Sequence, residues 1–425
     1  MHLKYRKTCR ICGSAALKPV IDLGNQYLQG SFVKDGYPMP TLRKLPTQLV
    51  RCDVEQVETG CGLLQMAHSV PPEVLYSNYW YRSGTNATMT NHLRSIAASA
   101  MSIAEGAHLR VLDIGCNDGT LLKSYPEDFE KYGVDPSDIA KTIGEPVVVV
   151  SSVFPSTLAM STLGRHPFDI VTSIAMFYDL EDPVGFAKAI ESLLSPKGIW
   201  IFEMSYLPMM LATNSFDTIC HEHLEYYSLA ALEAILVRAQ LRLFRISFND
   251  INGGSIRCYV TKAANADYGT KEDADFIHAA KLKEFDLALD TDAPYLAFQE
   301  RISEVRLKVT SLLEKLRADR KVVHIYGAST KGNTLLQWCG IDSTVIPFAA
   351  ERNPDKFGSR TLGTNIQIIS EAESRNAKPD YYLVLPWHFR DEFIEREKDL
   401  LLSGTKMIFP LPRVAVVGDG GIEFV

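Results

Sequence analysis

The stretch "LRVLDIGCNDGTLLKSYPEDFEKYGVDPSD", residues 109–138, decides the fold. Its apolar opening predicts a strand, and "GCNDGT" predicts a tight loop that leads onward from it. Asp113, Gly115, Asn117 and Gly119 alternate through that loop. Asn117 stands at the middle position, and asparagine is among the few residues that tolerate a left-handed backbone. A second strand then ends at Asp135, 22 residues beyond Asp113. A carboxylate placed there can accept hydrogen bonds from both hydroxyls of a ribose.

A nicotinamide-binding loop needs G-x-G-x-x-G, whereas Gly115 and Gly119 are separated by three residues with no third glycine in register. The spacing is similar to that of class I methyltransferases, which place an acid and three glycines at alternate positions to hold S-adenosylmethionine. That likeness assigns Asp113, Gly115, Asn117, Asp118, Gly119 and Asp135 to the cofactor. Further strands are predicted in "FDIVTSIAMFYDLEDP" and in "KGIWIFEMSYL", which carries Glu203, with ends meeting the same crevice. An acid and a glycine after one strand also occur in doubly wound folds that bind nothing related, so the loop gains its meaning from Asp135 and the later strands.

At 425 residues the chain calls for two or three domains. An apolar fraction of 46% with 22% charged residues is that of a globular protein, and no run approaches the roughly 20 apolar residues of a membrane span. The basic N-terminus is followed by no apolar segment with a cleavage site, which predicts a cytoplasmic protein. A net charge of −7 argues against a nucleic-acid polymer as partner. Nothing in the sequence sets an oligomeric state.

Four of the eight cysteines fall within the first 61 residues. In "CRICG", Cys9 and Cys12 have the two-residue spacing that points consecutive thiolates of a turn at one ion. Cys52 and Cys61 are separated by eight residues, more than a usual zinc knuckle, so the intervening residues are expected to bulge as a loop. Four thiolates leave no open position, which makes the expected Zn2+ structural.

Residues 265–320 are charged and helix-like and predict a solvated connector. After it, "KVVHIYGASTKGNTLLQWCG" and "DSTVIPFAAERNPDKFGSRTLG" repeat strand, glycine loop and helix, predicting a second doubly wound sheet. A helix start aided by Ser329, Thr330 and Lys331, with Asn333 in the next turn, suits a diphosphate. The alternative there is an ordinary capping loop. Glu351 and Asn353 are candidates for reading a base or ribose.

In order, "CRICG", "YWYRSGT", "VLDIGCNDGT", "HEHLEYYS", "NGGSIRCYV", "YGASTKGNT" and "ERNPDKFG" give the chain its family likeness. It resembles the sugar C-methyltransferases of deoxysugar biosynthesis over nearly its whole length. The resemblance implies an α/β protein of two Rossmann-like doubly wound sheets with a small zinc-binding module. It divides the chain into a zinc-binding module at 1–70, a methyltransferase domain at 71–260, the connector at 261–320 and a nucleotide-sugar-binding domain at 321–425. It also implies a nucleotide-diphosphate 4-keto-deoxyhexose substrate, methylated beside the ketone, with Glu222 and His223 against the sugar.

In "FDTICHEHLEYYS", residues 216–228, His221 and His223 are two apart rather than four, which argues against a metal site. The bland alternative is a core histidine satisfied by Tyr226 or Tyr227. Carbon accepts a methyl group only after losing a proton, and imidazole suits that step because it titrates near neutral pH. His223 is therefore the expected base, with Glu222 orienting it or binding a sugar hydroxyl and His221 in reserve. Tyrosine hydroxyls can stabilise an enolate oxygen, which makes Tyr226 a candidate, and Tyr79 and Tyr81 are expected to close over the sugar. Three functions compete with this one: O-methylation, a nicotinamide-dependent sugar oxidoreductase and a zinc-ribbon adaptor.

Overall fold

The computed structural model describes residues 3–54, 60–75, 82–85 and 87–425. Its N-terminal module contributes strands β1 (Leu17–Gln26), β2 (Phe32–Val33), β3 (Leu45–Cys52) and β4 (Leu64–Met66). β1, β3 and β4 pair antiparallel, while β2 leaves to join another sheet.

Helix α1 (Ala87–Ile103) opens the central unit and buries Leu93, Ile96, Ala97 and Ala100, the spacing that puts apolar side chains on one helical face. Strands β5 (Arg110–Ile114), β6 (Glu130–Val134), β7 (Val148–Val150), β8 (Phe168–Ile174) and β9 (Leu194–Ser205) follow. β5, β8 and β9 are buried along most of their length, as strands covered on both faces are. Next come β10 (Glu225–Tyr226), α2 (Leu229–Arg238), β11 (Leu241–Asn249) and β12 (Ser255–Lys262). The seven-stranded sheet has the order β11-β12-β9-β8-β5-β6-β7, with β12 antiparallel to both neighbours. Its strand order reverses between β5 and β8, which opens a crevice at their C-terminal ends.

Helices α3 (Lys271–Asp286) and α4 (Ala293–Ala318) form the connector, and here the structure corrects the expectation of a solvated link. α4 buries Tyr295, Phe298, Ile302, Val305, Val309, Leu313 and Leu316, a full apolar stripe. These side chains share one core with Val20 and Leu49 of the first module and Ile325 and Leu383 of the last. α3 buries Glu284, whose carboxylate accepts hydrogen bonds from the Tyr206 hydroxyl and the Leu229 N–H, both at 2.6 Å. An acid at the start of α2 satisfies amides that the helix cannot.

The last unit holds β13 (Val323–Tyr326), α5 (Thr330–Cys339), β14 (Phe348–Glu351), β15 (Arg360–Thr361), β16 (Gln367–Ser370), β17 (Tyr381–Val384), β18 (Lys406–Phe409), β19 (Ala415–Gly418) and β20 (Gly421–Phe424). Its sheet runs β20-β19-β18-β17-β13-β14-β16-β15-β2, with a parallel centre from β18 to β16. Two short strands cross between units. β2 pairs with β15 at the far edge, and β10 pairs with β4 in the N-terminal sheet. The turn bearing His223 therefore leads directly into a strand of the cysteine-bearing module.

Candidate active site

A cavity of about 670 Å³ opens where the crevice of the central sheet meets the starts of the last unit's loops. Its first end is the loop after β5. Gly115, Asn117 and Gly119 all have positive φ there, at 77°, 50° and 72°. Asparagine thus takes the left-handed turn that the sequence pattern called for. Asp135 accepts the Asn117 N–H at 3.0 Å and the Ser137 N–H at 2.8 Å, one on each oxygen. Each oxygen keeps a further lone pair for a ribose hydroxyl. Asp113 accepts the Thr172 hydroxyl at 2.6 Å, and burial pushes its carboxyl up to about 7. This donor and acceptor set fits an adenosyl group held at the loop and at Asp135. Asp118 is corrected from cofactor contact to loop brace, because its carboxylate accepts the Gly84 N–H at 2.8 Å and the Thr120 hydroxyl at 2.6 Å.

Glu203, at the end of β9, also faces the cavity. It accepts Arg257 Nε–H at 2.7 Å and Asn249 Nδ2–H at 3.0 Å, and it meets His92 of α1. Burial alone would raise its carboxyl, but these neighbours hold it below the usual range.

The second end is the turn at residues 219–224. His223 lines the cavity and packs on the Tyr178 ring at 4.3 Å. Its Nδ1 lies 2.7 Å from the Thr218 carbonyl, so Nδ1 carries the proton and Nε2 keeps its lone pair. Burial, then the nearby Lys331 cation, lowers His223 to about 3 and keeps it neutral. Glu222 also lines the cavity, and burial pushes its carboxyl up to about 7. The expected role of Glu222 in orienting His223 is corrected: the Thr218 carbonyl does that.

His221 points the other way. Its ring lies between Gln29 Oε1 at 2.6 Å and the Pro46 carbonyl at 3.1 Å, outside the cavity, which removes it as a reserve base. In a turn, adjacent side chains diverge, and only one of the two histidines faces the cavity. Tyr226 is corrected likewise: it lies in β10, and its hydroxyl meets the carbonyls of His223 and Thr218 at 3.3 and 3.4 Å rather than the cavity. Tyr79 and Tyr81 lie outside the described residues.

From the last unit, Ser329, Thr330 and Lys331 line the cavity. Ser329 caps α5 by accepting the Gly332 N–H at 3.0 Å, and Lys331 Nζ–H donates to the Asn252 carbonyl at 3.0 Å. Burial lowers Lys331, opposed by Asp217. Asn333, Glu351 and Asn353 are not cavity residues. Asn333 donates to the Gln29 carbonyl at 2.6 Å, Glu351 accepts the Ala328 N–H at 3.1 Å, and Asn353 caps its own turn by accepting the Asp355 N–H at 3.0 Å.

Sequence reasoning missed Gly30, Phe32, Asp217 and His388, all of which line the cavity. Asp217 accepts the Trp387 indole N–H at 2.9 Å. His388 follows β17 at the C-terminal end of a parallel strand, and that position was a usable signal. Gly30 carried none.

Cys9, Cys12, Cys52 and Cys61 bring their sulfurs within 4.8 Å of one another. A tetrahedron with Zn–S bonds of about 2.3 Å has edges of about 3.8 Å, so the four fit one zinc ion. Hydrogen bonds from Cys52 and then Cys61 hold the Cys9 thiol far down, while the Cys52 and Cys61 thiols are pushed up.

Three family models match consecutive segments: a zinc binding domain at residues 9–76, a methyltransferase domain at 89–245 and a C-methyltransferase C-terminal domain at 250–412. The C-methyltransferase NovU of Streptomyces niveus is 28% identical over 418 residues, covering 96% of each chain. Among solved structures, a methyltransferase in complex with the Haloferax volcanii activator Trm112 is 16% identical, with a TM-score of 0.35, over 43% of this chain and 95% of that one. The magnesium protoporphyrin IX methyltransferase of Synechocystis PCC 6803 is 15% identical, with a TM-score of 0.30, over 41% and 79%.

Proposed function

The chain belongs to the S-adenosylmethionine-dependent C-methyltransferases that join a zinc-binding, a methyltransferase and a C-terminal domain, and from that premise we propose its substrate and chemistry. The substrate is a nucleotide-diphosphate 4-keto-deoxysugar, and the methylated carbon lies beside its ketone. Bound S-adenosylmethionine supplies an electrophilic methyl group; the chain's own task is to turn a C–H carbon into a nucleophile.

His223 removes the proton. The observation that carries this reading is the bond from Nδ1 to the Thr218 carbonyl, which leaves Nε2 as an acceptor in a cavity shared with the cofactor loop. Lys331 and the start of α5 receive the diphosphate, where a cation and helix amides favour negative charge. That placement has a second effect. After burial, the Lys331 charge is what holds His223 down, so a bound diphosphate offsets that charge and strengthens the base when substrate is present. Glu222, whose carboxyl burial pushes up to about 7, is partly protonated near neutral pH, and in that form it offers a hydroxyl of the sugar both a donor and an acceptor.

The test is product analysis. Purified protein incubated with S-adenosylmethionine and a panel of nucleotide-diphosphate keto-sugars yields a product whose new methyl group sits on carbon. A methyl ether, or no turnover on any keto-sugar beside turnover on a non-nucleotide acceptor, contradicts the substrate assignment.

A further inference from the structure

The N-terminal module reaches the cavity at Gly30 and Phe32, and the residue before Gly30 is gripped by both other units. Gln29 Oε1 accepts the His221 backbone N–H at 3.2 Å and meets the His221 ring at 2.6 Å. The Gln29 carbonyl accepts Asn333 Nδ2–H at 2.6 Å, and its own amide donates to Gln26 at 2.9 Å. His221 and Asn333, which do not reach the cavity themselves, thus hold the loop that does.

The Gly30 α-carbon faces the Glu222 carboxylate. A methyl group at residue 30 would stand 1.7 Å from Glu222 Oε1 and 2.8 Å from its Cδ. No hydrogen bond to the Glu222 carboxyl is present among the described residues. Its position therefore depends on the shape of the wall it rests against.

We propose that Gly30, fixed by the Gln29 clamp, is a positioning residue that sets where the Glu222 carboxylate stands in the cavity. The proposal rests on the reading of Glu222 as a substrate-binding group. Its consequence is a size rule: a side chain at residue 30 displaces the carboxylate, and an acid one methylene shorter restores the room.

A double-mutant cycle on the full-length enzyme tests it. Gly30→Ala lowers kcat by about 10- to 100-fold, the cost of a misplaced group near the chemistry. S-adenosylmethionine affinity and Tm stay nearly unchanged, because a flexible carboxylate can swing aside. Glu222→Asp alone also lowers kcat, and Gly30→Ala combined with Glu222→Asp is more active than Gly30→Ala. Losses that simply multiply, or full kcat in Gly30→Ala, overturn the proposal. Gln29→Met releases the same loop without adding an atom at residue 30. It lowers kcat with cofactor affinity retained, and an unchanged kcat overturns the clamp even where Gly30→Ala does not fold. Glu222→Gln separates the two claims: full activity there removes the reading of Glu222, whereas a loss there with multiplicative cycle losses removes the positioning role alone.

Discussion

His223 Nδ1 and the Thr218 carbonyl oxygen lie 2.7 Å apart, and this contact decides which ring nitrogen carries the proton. A carbonyl accepts but cannot donate, so the proton belongs on Nδ1. On the proposed reading, Nε2 is the nitrogen that takes the proton from the substrate carbon.

The pH dependence follows from the charge beside this ring. Burial first, and Lys331 second, hold His223 near 3 against an ordinary imidazole value of 6.5. The acid limb of kcat/KM, which reports the free enzyme, is expected below 6.5. Lys331→Met removes a cation that disfavours protonation, so the limb moves upward while nucleotide-sugar affinity falls. An acid limb that stays in place contradicts the electrostatic link between Lys331 and His223.

Asp135 braces the loop after β5 with both oxygens, which accept the Asn117 and Ser137 amides, and on the proposed reading it also holds the cofactor ribose. A hydrogen bond to a charged group is worth about 1.5–3 kcal/mol, so Asp135→Ala is expected to weaken S-adenosylmethionine binding by about 10- to 100-fold. Nucleotide-sugar affinity remains nearly intact, because Lys331 and α5 lie on a different sheet. Calorimetry with each ligand measures both, and equal losses contradict the division of the cavity.

The cysteine cluster predicts one zinc ion per chain, read by elemental analysis of protein prepared without chelator. Chelation or Cys12→Ser lowers Tm. It also lowers methyl transfer, because β4 of the same module pairs with β10, whose register sets Glu225 opposite Gln65 two residues after His223. Metal near zero, or unchanged in Cys12→Ser, contradicts the site.

The parts of this fold that were legible in the sequence are those written in local pattern. The β5 loop, Asn117 and Asp135 follow from apolar runs, turn residues and spacing, and the cysteines from their number and the CxxC turn. The two-residue strands β2 and β10 have no periodicity to read, yet they bind the three units together. Gly30, Asp217 and His388 come from three distant segments, so only the packed chain brings them to one cavity. The misplacement of His221 and Asn333 has one cause: both stand within two residues of true cavity residues, and the turn or helix aims them instead at the loop around Gln29.

The most direct measurement is deuterium exchange at the carbon beside the ketone, followed in His223→Ala with cofactor bound. The account predicts that wild type exchanges this proton with solvent. It predicts that the variant loses exchange together with about 10²- to 10⁴-fold of methyl transfer, the span for a positioned acid-base group, while S-adenosylmethionine still binds. Exchange that continues undiminished in His223→Ala contradicts the assignment of the base.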